Sequence, residues 1–145
     1  MPADSDLTLP HTWRPMGVRM AGIVGCAFLF VVCAAAWIAF PPHIRDLFTL
    51  YERATMIFLG LLVLACFHAL VRCRATATEQ KLVVVNGYKK REFAWAEVVA
   101  VTMPRGAPWA VIDLSDGEIC KVMAIQGSDG TRARKAITEL RTLIP

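Results

Sequence analysis

The cysteines and histidines are the side chains of this chain best suited to metal and redox chemistry. Five cysteines and three histidines occur among 145 residues, and no two cysteines have the Cys-x-x-Cys spacing of a metal or redox motif. Cys26 lies seven residues before Cys33, and Cys66 lies seven before Cys73. Seven residues of helix separate two side chains by roughly 10 Å, which is too far for a disulfide. These spacings predict neither a metal site nor a bound cofactor.

The polar half of the chain, residues 72–145, lacks the motifs that are typical of enzyme active sites. Residues 72–145 contain no histidine and two cysteines, Cys73 and Cys120, and they include neither a Gly-x-Ser-x-Gly motif nor a glycine-rich phosphate loop before a helix. Asp113, Asp116 and Glu118 are acidic, but Asp116 belongs to an Asp-Gly turn and the other two lie close to it. Because the pattern shows no nucleophile combined with a base, we predict a protein that is not an enzyme.

Cations are the other chemically distinctive group. Residues 72–145 hold 12 Lys and Arg against 8 Asp and Glu, whereas the preceding residues balance at four of each. Five of the cations are the candidate lipid-binding or partner-binding residues: Lys89, Lys90, Arg91, Arg72 and Arg74. Near an anionic membrane each cation contributes about 1 kcal/mol of attraction. They predict binding to anionic lipid headgroups; the alternative is that they only solubilise an exposed turn and follow the positive-inside rule.

Nucleic acid and protein are two further classes of macromolecular partner. Nucleic acid is not an expected partner, because Tyr88 alone places an aromatic ring beside these cations. A protein partner is as compatible with the sequence as a lipid, since an open sheet edge or the loop of residues 104–109 offers it a binding surface. No pattern in the chain sets the oligomeric state.

The elements that position these side chains begin with two apolar runs. Residues 20–40 and 54–71 contain no Asp, Glu, Lys or Arg. About 20 helical residues span a hydrocarbon core about 30 Å thick, and a helix satisfies its own backbone there. Neither run has the polar face of a helix in a soluble bundle. We therefore predict two membrane-spanning helices in the lipid bilayer, with nothing polar along them to line a pore.

The cations that flank the two spans predict their orientation. Arg14 and Arg19 precede the first span, and Arg72, Arg74 and Lys81 follow the second. The connecting loop has two arginines, which two acidic residues partly offset. The positive-inside rule then predicts a two-pass protein of the cell membrane with both termini cytoplasmic. The expected segments are a cytoplasmic tail (1–15), a first span (16–40), an external loop (41–53), a second span (54–72) and a cytoplasmic domain (73–145).

Small residues recur along the first span. Gly17, Ala21 and Gly25 repeat at four-residue spacing, which lets a second helix approach closely. Gly60 is the matching small residue of the second span. These four residues are the candidate helix-packing positions, either within the chain or between two copies.

The cytoplasmic domain has the pattern of about six short strands followed by a helix. Alternating and β-branched segments are separated by turn signals, of which Asn86-Gly87 and Asp116-Gly117 are the strongest. A two-residue turn at Asn86-Gly87 pairs Val84 with Lys89 and Lys81 with Glu92, and it puts Leu82, Val84, Phe93 and Trp95 on the core face. That register also places Lys89 and Arg91 on the core side, so either the tip overhangs the core or the turn is longer.

A helix ends the predicted domain. It follows Ser128 or Asp129, either of which can cap it. Its apolar residues recur at helical spacing and form a stripe of Ala133, Ala136, Ile137, Leu140 and Leu143-Ile144. About 70 residues suffice for one small core in which such a helix closes the open end of a bent sheet.

The order of these motifs resembles the bacterial PH-domain membrane proteins of actinobacteria, the group that includes low molecular weight protein antigen 6. The resembling segments are Leu9-Pro10-His11-Thr12-Trp13-Arg14-Pro15, the two spans, Leu82-Val83-Val84-Val85-Asn86-Gly87-Tyr88, Trp95-Ala96-Glu97-Val98-Val99-Ala100-Val101, Pro108-Trp109 and Leu114-x-Asp116-Gly117. The resemblance implies a membrane α-hairpin plus an α+β cytoplasmic domain: a pleckstrin-homology-like antiparallel β-roll or barrel capped by a C-terminal amphipathic helix. It implies no activity, because PH-like folds host many binding functions.

One departure from the wider PH pattern affects the expected ligand. Eukaryotic PH domains that bind phosphoinositides carry basic residues around their first strand-to-strand turn. Here that turn is expected at Glu79-Gln80-Lys81, which is short and acidic. Phosphoinositide recognition is therefore not expected. The expected function is a non-enzymatic membrane protein that presents a PH-like binding or scaffold module to cytoplasmic partners or anionic lipid. The alternative is a subunit or accessory protein of a larger membrane complex or transporter, with the two helices as the interaction element.

Overall fold

The computed structural model describes residues 7–145, so residues 1–6 of the expected tail lie outside the described residues. The chain divides into two compact units. The first, which we call the helix hairpin, is Val18–Val71. The second, which we call the sheet domain, combines Arg72–Pro145 with the described residues up to Gly17. The sheet domain therefore draws on chain from both sides of the helix hairpin.

Three helices account for the apolar half of the chain: α1 (Met16–Ala39), the single turn α2 (Pro42–Arg45) and α3 (Leu50–Arg72). An 18-residue window of each long helix has a mean hydropathy of 2.4, and almost none of its residues is buried. A core helix of a soluble protein would bury one face. Both α1 and α3 are therefore long and apolar enough to cross a membrane, as the sequence predicts.

Helix α3 begins at Leu50, four residues before the predicted start of the second span. The Thr49 hydroxyl accepts the backbone N–H of Glu52 at 3.3 Å, and the Glu52 carboxylate accepts the backbone N–H of Thr49 at 2.8 Å. This reciprocal arrangement is a capping box, recognisable in sequence as Thr-x-x-Glu. The expected external loop of residues 41–53 therefore ends at Thr49.

Arg53, expected to lie in that loop, is a residue of α3 and fastens the connection between the helices. Its guanidinium donates to the carbonyls of Phe48 at 3.1 Å and Arg45 at 2.7 Å. It also lies 5.5 Å from the ring centre of Trp37 on α1. One side chain thus satisfies backbone carbonyls of the connection and contacts the preceding helix.

The two long helices approach closely at Gly22, where an added Cβ would lie 3.0 Å from Cδ1 of Phe67. The approach expected at Gly25 and Gly60 does not occur between α1 and α3, because nothing lies within 4 Å of a Cβ built at either glycine. Ala21 is exposed. The small-residue repeat therefore misidentified the contact by one position, since an aromatic ring rather than a second small residue packs on α1. Packing of the repeat against another copy stays a prediction.

In the described part of the chain, seven antiparallel strands form the sheet domain. They are β1 (His11–Trp13), β2 (Arg74–Ala77), β3 (Lys81–Asn86), β4 (Lys89–Ala94), β5 (Val98–Thr102), β6 (Trp109–Leu114) and β7 (Ile119–Gln126). One sheet has the order β1-β2-β3-β4 and the other β5-β6-β7. A 3₁₀ turn at Trp95–Glu97 leads from the first sheet to the second, so Trp95 is not part of a strand.

Helix α4 (Thr131–Arg141) closes the domain. It buries Ala133, Ala136, Ile137 and Leu140, the stripe predicted from their spacing. These side chains join a core made by the inward-facing residues of both sheets, including Leu82, Phe93 and Ile112. Burying each large apolar side chain contributes about 1.5–3 kcal/mol. The predicted fold, antiparallel sheets closed by a C-terminal amphipathic helix, is confirmed.

Strand β1 was not predicted, because its residues were assigned to a tail. It pairs antiparallel with β2, with His11 opposite Ala77 and Trp13 opposite Ala75. The whole helix hairpin therefore lies within the connection between the first two strands of the domain. The turn predicted at Glu79-Gln80-Lys81 is present and joins β2 to β3, with β1 as an additional strand before this pair.

The β3–β4 register differs from the predicted one. Asn86 pairs with Lys89, Val84 with Arg91 and Leu82 with Phe93, so the turn residues are Gly87 and Tyr88. The predicted pairing is wrong by two residues along β4, and a shift of two leaves every side chain on the face that was predicted. The core face with Leu82, Val84 and Phe93 is therefore correct although its register was not.

Candidate binding surface

The cations expected to bind a ligand surround the tip of the β3–β4 hairpin. Gly87 has a φ of 62° at the first position of the two-residue turn. A positive φ there is the geometry of a type II′ turn, which glycine adopts without a steric penalty. The turn leaves Tyr88 and Lys89 exposed at the tip, with Lys90 and Arg91 following on β4.

Asn86 fastens this hairpin to the other sheet. Its Nδ2 donates to the Lys121 carbonyl at 2.6 Å, and its Oδ1 accepts the Met123 backbone N–H at 3.1 Å. Both partners belong to β7, so one side chain bridges the two sheets. Asn86 was expected to be a turn residue. Because its side chain is used across the sheets, the turn forms one residue later.

Glu92 neutralises part of the cationic group. Its carboxylate lies 2.5 Å from the Nζ of Lys81 and 2.5 Å from that of Lys90. The hydrogen bond from Lys81, followed by that from Lys90, lowers the pKa of Glu92 from 4.5 to about 2. The predicted association of Lys81 with Glu92 is therefore present, although Glu92 stands opposite Val83.

Arg91 lies on the core side of β4, as its spacing predicted, and overhangs the edge of the core. Its guanidinium lies 5.0 Å from the ring centre of Phe93 and 3.0 Å from the carboxylate of Glu118. Burial raises the pKa of the neighbouring Cys120 thiol, and Arg91 partly opposes that shift. Arg91 is thus positioned at the exposed edge of the core by an aromatic ring and a carboxylate.

Arg72 lies beside the hairpin tip. Its guanidinium is 5.4 Å from the ring centre of Tyr88. Next to it, the Gly87 backbone N–H donates to the sulfur of Cys73 at 3.2 Å. The structure therefore brings Arg72 and the tip of the β3–β4 hairpin together, although 14 residues separate Cys73 from Gly87.

Arg74 and Lys89 complete the expected group. Lys89 is exposed, and Arg74 is partly buried opposite Val85. Within residues 7–145 neither forms an ion pair, in contrast to Lys90 and Arg91. The surface that we call the hairpin tip (Arg72, Arg74 and residues 88–91) is therefore partly neutralised, with its uncompensated charge on Arg72, Arg74 and Lys89.

The structure also locates the residues weighed for catalysis and metal binding. Among residues 7–145, no three or more His, Cys, Asp and Glu side chains are grouped so that they could hold a metal ion. Asp116 accepts the Glu118 backbone N–H at 2.9 Å, which is an intraturn bond. Cys120 is buried in β7. Asp116 therefore stabilises the turn between β6 and β7, and Cys120 belongs to the core.

Asp129 has a structural role that the sequence assigned to the wrong helix. It lies in a 3₁₀ turn, Gly127–Asp129, and accepts the backbone N–H groups of Met16 at 3.2 Å and Gly17 at 3.0 Å. It therefore caps α1, whereas α4 follows Gly130 without a side-chain cap. A Cβ at Gly17 would lie 2.9 Å from the Asp129 carboxylate. Close approach of this carboxylate, rather than of a helix, accounts for Gly17.

Comparison with known proteins gives one family and a set of relatives. A family model described as a bacterial PH domain matches residues 72–143. Uncharacterized proteins of Mycobacterium tuberculosis and Mycobacterium bovis are 32% identical to this chain over 145 residues, covering 99% of it and 91% of each relative. No solved structure matches the chain. The similarity to the relatives therefore extends through the helix hairpin and β1, which the family model does not cover.

Proposed function

The chain belongs to the bacterial PH-domain family, and from this membership we propose that it is a non-enzymatic, membrane-anchored binding module. A PH domain with two helices able to cross a membrane fits a membrane-associated protein. The module presents its sheet domain to cytoplasmic protein partners or to anionic lipid. The finer assignment, to the actinobacterial group that includes low molecular weight protein antigen 6, is part of this proposal and is supported by the mycobacterial relatives.

The observation that carries the proposal is the double covalent connection of the domain. Residues 14–15 alone separate β1 from α1, and Cys73 alone separates α3 from β2. Extended chain spans about 3.3–3.6 Å per residue, so the three steps from Trp13 to Met16 cover at most roughly 11 Å and the two steps from Arg72 to Arg74 at most roughly 7 Å. A domain tethered this closely at both ends of a membrane hairpin acts on ligands at or beside the membrane.

A two-pass topology with both termini on the cytoplasmic side of the cell membrane is part of the same proposal. The pairing of Trp13 with Ala75 supports it, because strands in one sheet cannot lie on opposite sides of a bilayer. The cations before α1 and after α3 favour the cytoplasmic side.

The hairpin tip is the contact surface in this proposal. Arg72, Arg74 and Lys89 supply positive charge without a carboxylate partner in the described residues, and the exposed ring of Tyr88 adds an apolar contact. Long-range attraction by these cations favours anionic lipid headgroups or acidic protein segments. Nucleic acid is not an expected partner, because Tyr88 is the single aromatic ring at the tip.

Photocrosslinking in the native membrane tests this proposal with the full-length protein. A benzophenone amino acid replaces Tyr88, and the control protein carries it at Gln80, which is exposed in the β2–β3 turn. We expect adducts with lipid or with a defined protein from position 88 well above those from position 80. Equal yields at the two positions would remove the tip as the contact surface.

The alternative function, a subunit or accessory protein of a larger membrane complex or transporter, rests on the helix hairpin. Gly25 and Gly60 have open space above them, so a transmembrane helix of another protein can approach there. The same crosslinker at Ile57, which is exposed on α3, tests it. Protein adducts from position 57 together with none from position 88 would favour this alternative.

A further inference from the structure

A second cationic surface lies at a different place in the sheet domain. A groove of about 590 Å³ separates the loop between β5 and β6 from helix α4. Arg105 lines it from the loop, and Arg134 and Arg141 line it from the helix. No Asp or Glu is among its lining residues. Its volume is typical of small-molecule sites, so the groove combines ligand-sized space with three guanidinium groups.

The loop that carries Arg105 is fixed at both ends. Ala107 donates its backbone N–H to the Pro104 carbonyl at 3.0 Å, which closes a β-turn around Arg105, and Gly106 has a φ of 80° within it. Gly127 donates to the Pro108 carbonyl at 3.0 Å, which joins the loop to the turn before α4. The position of Arg105 is therefore set by backbone hydrogen bonds rather than left to a mobile loop.

The helix side of the groove is a regular stripe. Arg134, Thr138 and Arg141 are spaced i, i+4 and i+7, so they share one face of α4. Arg141 donates its Nε proton to the Val101 carbonyl at 2.8 Å, which orients its guanidinium and leaves the terminal nitrogens available. Within residues 7–145, the side chains of Arg105 and Arg134 make no ion pair.

Two carboxylates that neighbour the lining residues in sequence, Asp129 and Glu139, have other hydrogen-bond partners. Asp129, between two residues that line the groove, accepts the backbone N–H groups of Met16 and Gly17. Glu139 accepts the indole proton of Trp13 and lies 3.6 Å from the Nζ of Lys135. Within residues 7–145, neither carboxylate forms an ion pair with Arg105, Arg134 or Arg141.

We propose that this groove binds a phosphate-bearing ligand through Arg105, Arg134 and Arg141, with Ser128 as an additional hydroxyl donor. Planar guanidinium groups match phosphate oxygens in a bidentate geometry, and several of them around one concave space favour a multiply charged anion over chloride. This site shares no residue with the hairpin tip. It goes beyond the proposed function, and either proposal stands if the other fails.

The phosphate has two chemical sources, a lipid headgroup and a soluble phosphate compound. Ser128 and Gly130, which line the groove, flank the residue that caps the first turn of α1. A headgroup phosphate is therefore one source, and a phosphate dissolved in the cytoplasm is the other.

Isothermal titration calorimetry of the full-length protein in neutral maltoside micelles distinguishes them. One arm titrates inorganic phosphate; the other titrates mixed micelles containing phosphatidic acid, with phosphatidylcholine micelles as the neutral reference. Heat with inorganic phosphate assigns a soluble ligand, and heat with phosphatidic acid alone assigns a headgroup. Absence of binding in both arms would overturn the proposal.

Two double variants test the residues. Arg105→Gln with Arg134→Gln removes two cations of the groove and no ion pair of the described residues, and we expect the Kd to rise at least tenfold. Arg132→Gln with Lys135→Gln removes the same charge from other faces of α4, and we expect the Kd to change less than twofold. Equal weakening in both would show non-specific attraction and refute the site. Circular dichroism verifies folding, and Arg105→Gln alone serves if the double variant unfolds.

Discussion

The indole Nε1 of Trp13 donates a hydrogen bond to the carboxylate of Glu139 at 2.9 Å, joining residues 126 positions apart. Trp13 is 7% exposed and belongs to the strand before the helix hairpin, whereas Glu139 belongs to the last helix. This bond and the β1–β2 ladder integrate the N-terminal segment into the domain. A fragment that starts after α3 would therefore lack one strand and part of its core.

We expect Trp13→Ala to destabilise the sheet domain by about 3–5 kcal/mol, because it removes a buried aromatic side chain. Trp13→Phe retains most of the apolar surface and loses the bond to Glu139, with an expected cost of about 1.5–3 kcal/mol. Hydrogen–deuterium exchange of the β2 amides in the full-length protein measures the destabilisation caused by each variant. Unchanged exchange in the alanine variant would show that β1 contributes no stability.

Asn86→Ala removes the side chain that bridges the two sheets. Both bonds to β7 are lost and the Met123 N–H loses its acceptor, so we expect a cost of about 1–3 kcal/mol. Lys89→Ala, three residues later and exposed, is the control, with an expected change within about 0.5 kcal/mol. Chemical denaturation of each full-length variant in detergent gives the comparison. Similar midpoints for the two variants would contradict the bridging role.

The lowered pKa of Glu92 predicts that the sheet domain loses stability in acid. Its pKa is lowered to about 2 from 4.5, so its pairing with the two lysines stabilises the folded domain above pH 4.5. That contribution is lost progressively as the pH falls from about 4.5 to about 2. Carbon-13 NMR titration of the Glu92 carboxyl in wild type and in Lys81→Gln/Lys90→Gln measures the pKa. We expect it to rise towards 4.5 in the variant; a carboxyl that still titrates near 2 would show that the lysines are not the cause.

Gly22→Leu tests the contact between α1 and α3. A side chain added at Gly22 would contact the ring of Phe67, so we expect overpacking to cost about 1–3 kcal/mol. The midpoint of thermal unfolding of the helix hairpin in detergent should fall accordingly. Gly25→Leu, with open space above it, is the matched control and should leave the midpoint unchanged. Phe67→Ala in the Gly22→Leu background should restore part of the loss. A midpoint lowered more by Gly25→Leu would place the contact on the originally predicted face.

Alternation and spacing predicted those parts of the fold in which neighbouring residues carry the signal. The core face with Leu82 and Phe93 follows from a two-residue period, and the buried stripe of α4 follows from helical spacing. The core face is predicted correctly even when the strand register is wrong by two residues. The register itself depended on Asn86, whose partners lie 35 and 37 residues away on another strand, so local turn preference could not fix it.

The features that the sequence did not predict depend on residues that lie far apart in the chain. Residues 11–13 are too few to show a strand period, and their pairing partners follow the helix hairpin. The sequence shows the cations of the hairpin tip as consecutive residues. It does not show that Glu118, 27 residues after Arg91, forms an ion pair with it. The groove could not be predicted from residue spacing, because Arg105 and Arg141 are 36 positions apart and line the same groove only once the domain has folded.

The insertion of the helix hairpin between β1 and β2 also orders events during synthesis. Strand β1 leaves the ribosome first and waits while some 60 residues that include both long helices are made, roughly 3–12 seconds at ordinary elongation rates. The first sheet closes only if β1 and β2 emerge in the same compartment. If both long helices cross a membrane as we propose, a chain with one helix inserted would leave β2 without its neighbour and Trp13 outside the core, and we expect such copies to be degraded faster than correctly inserted ones.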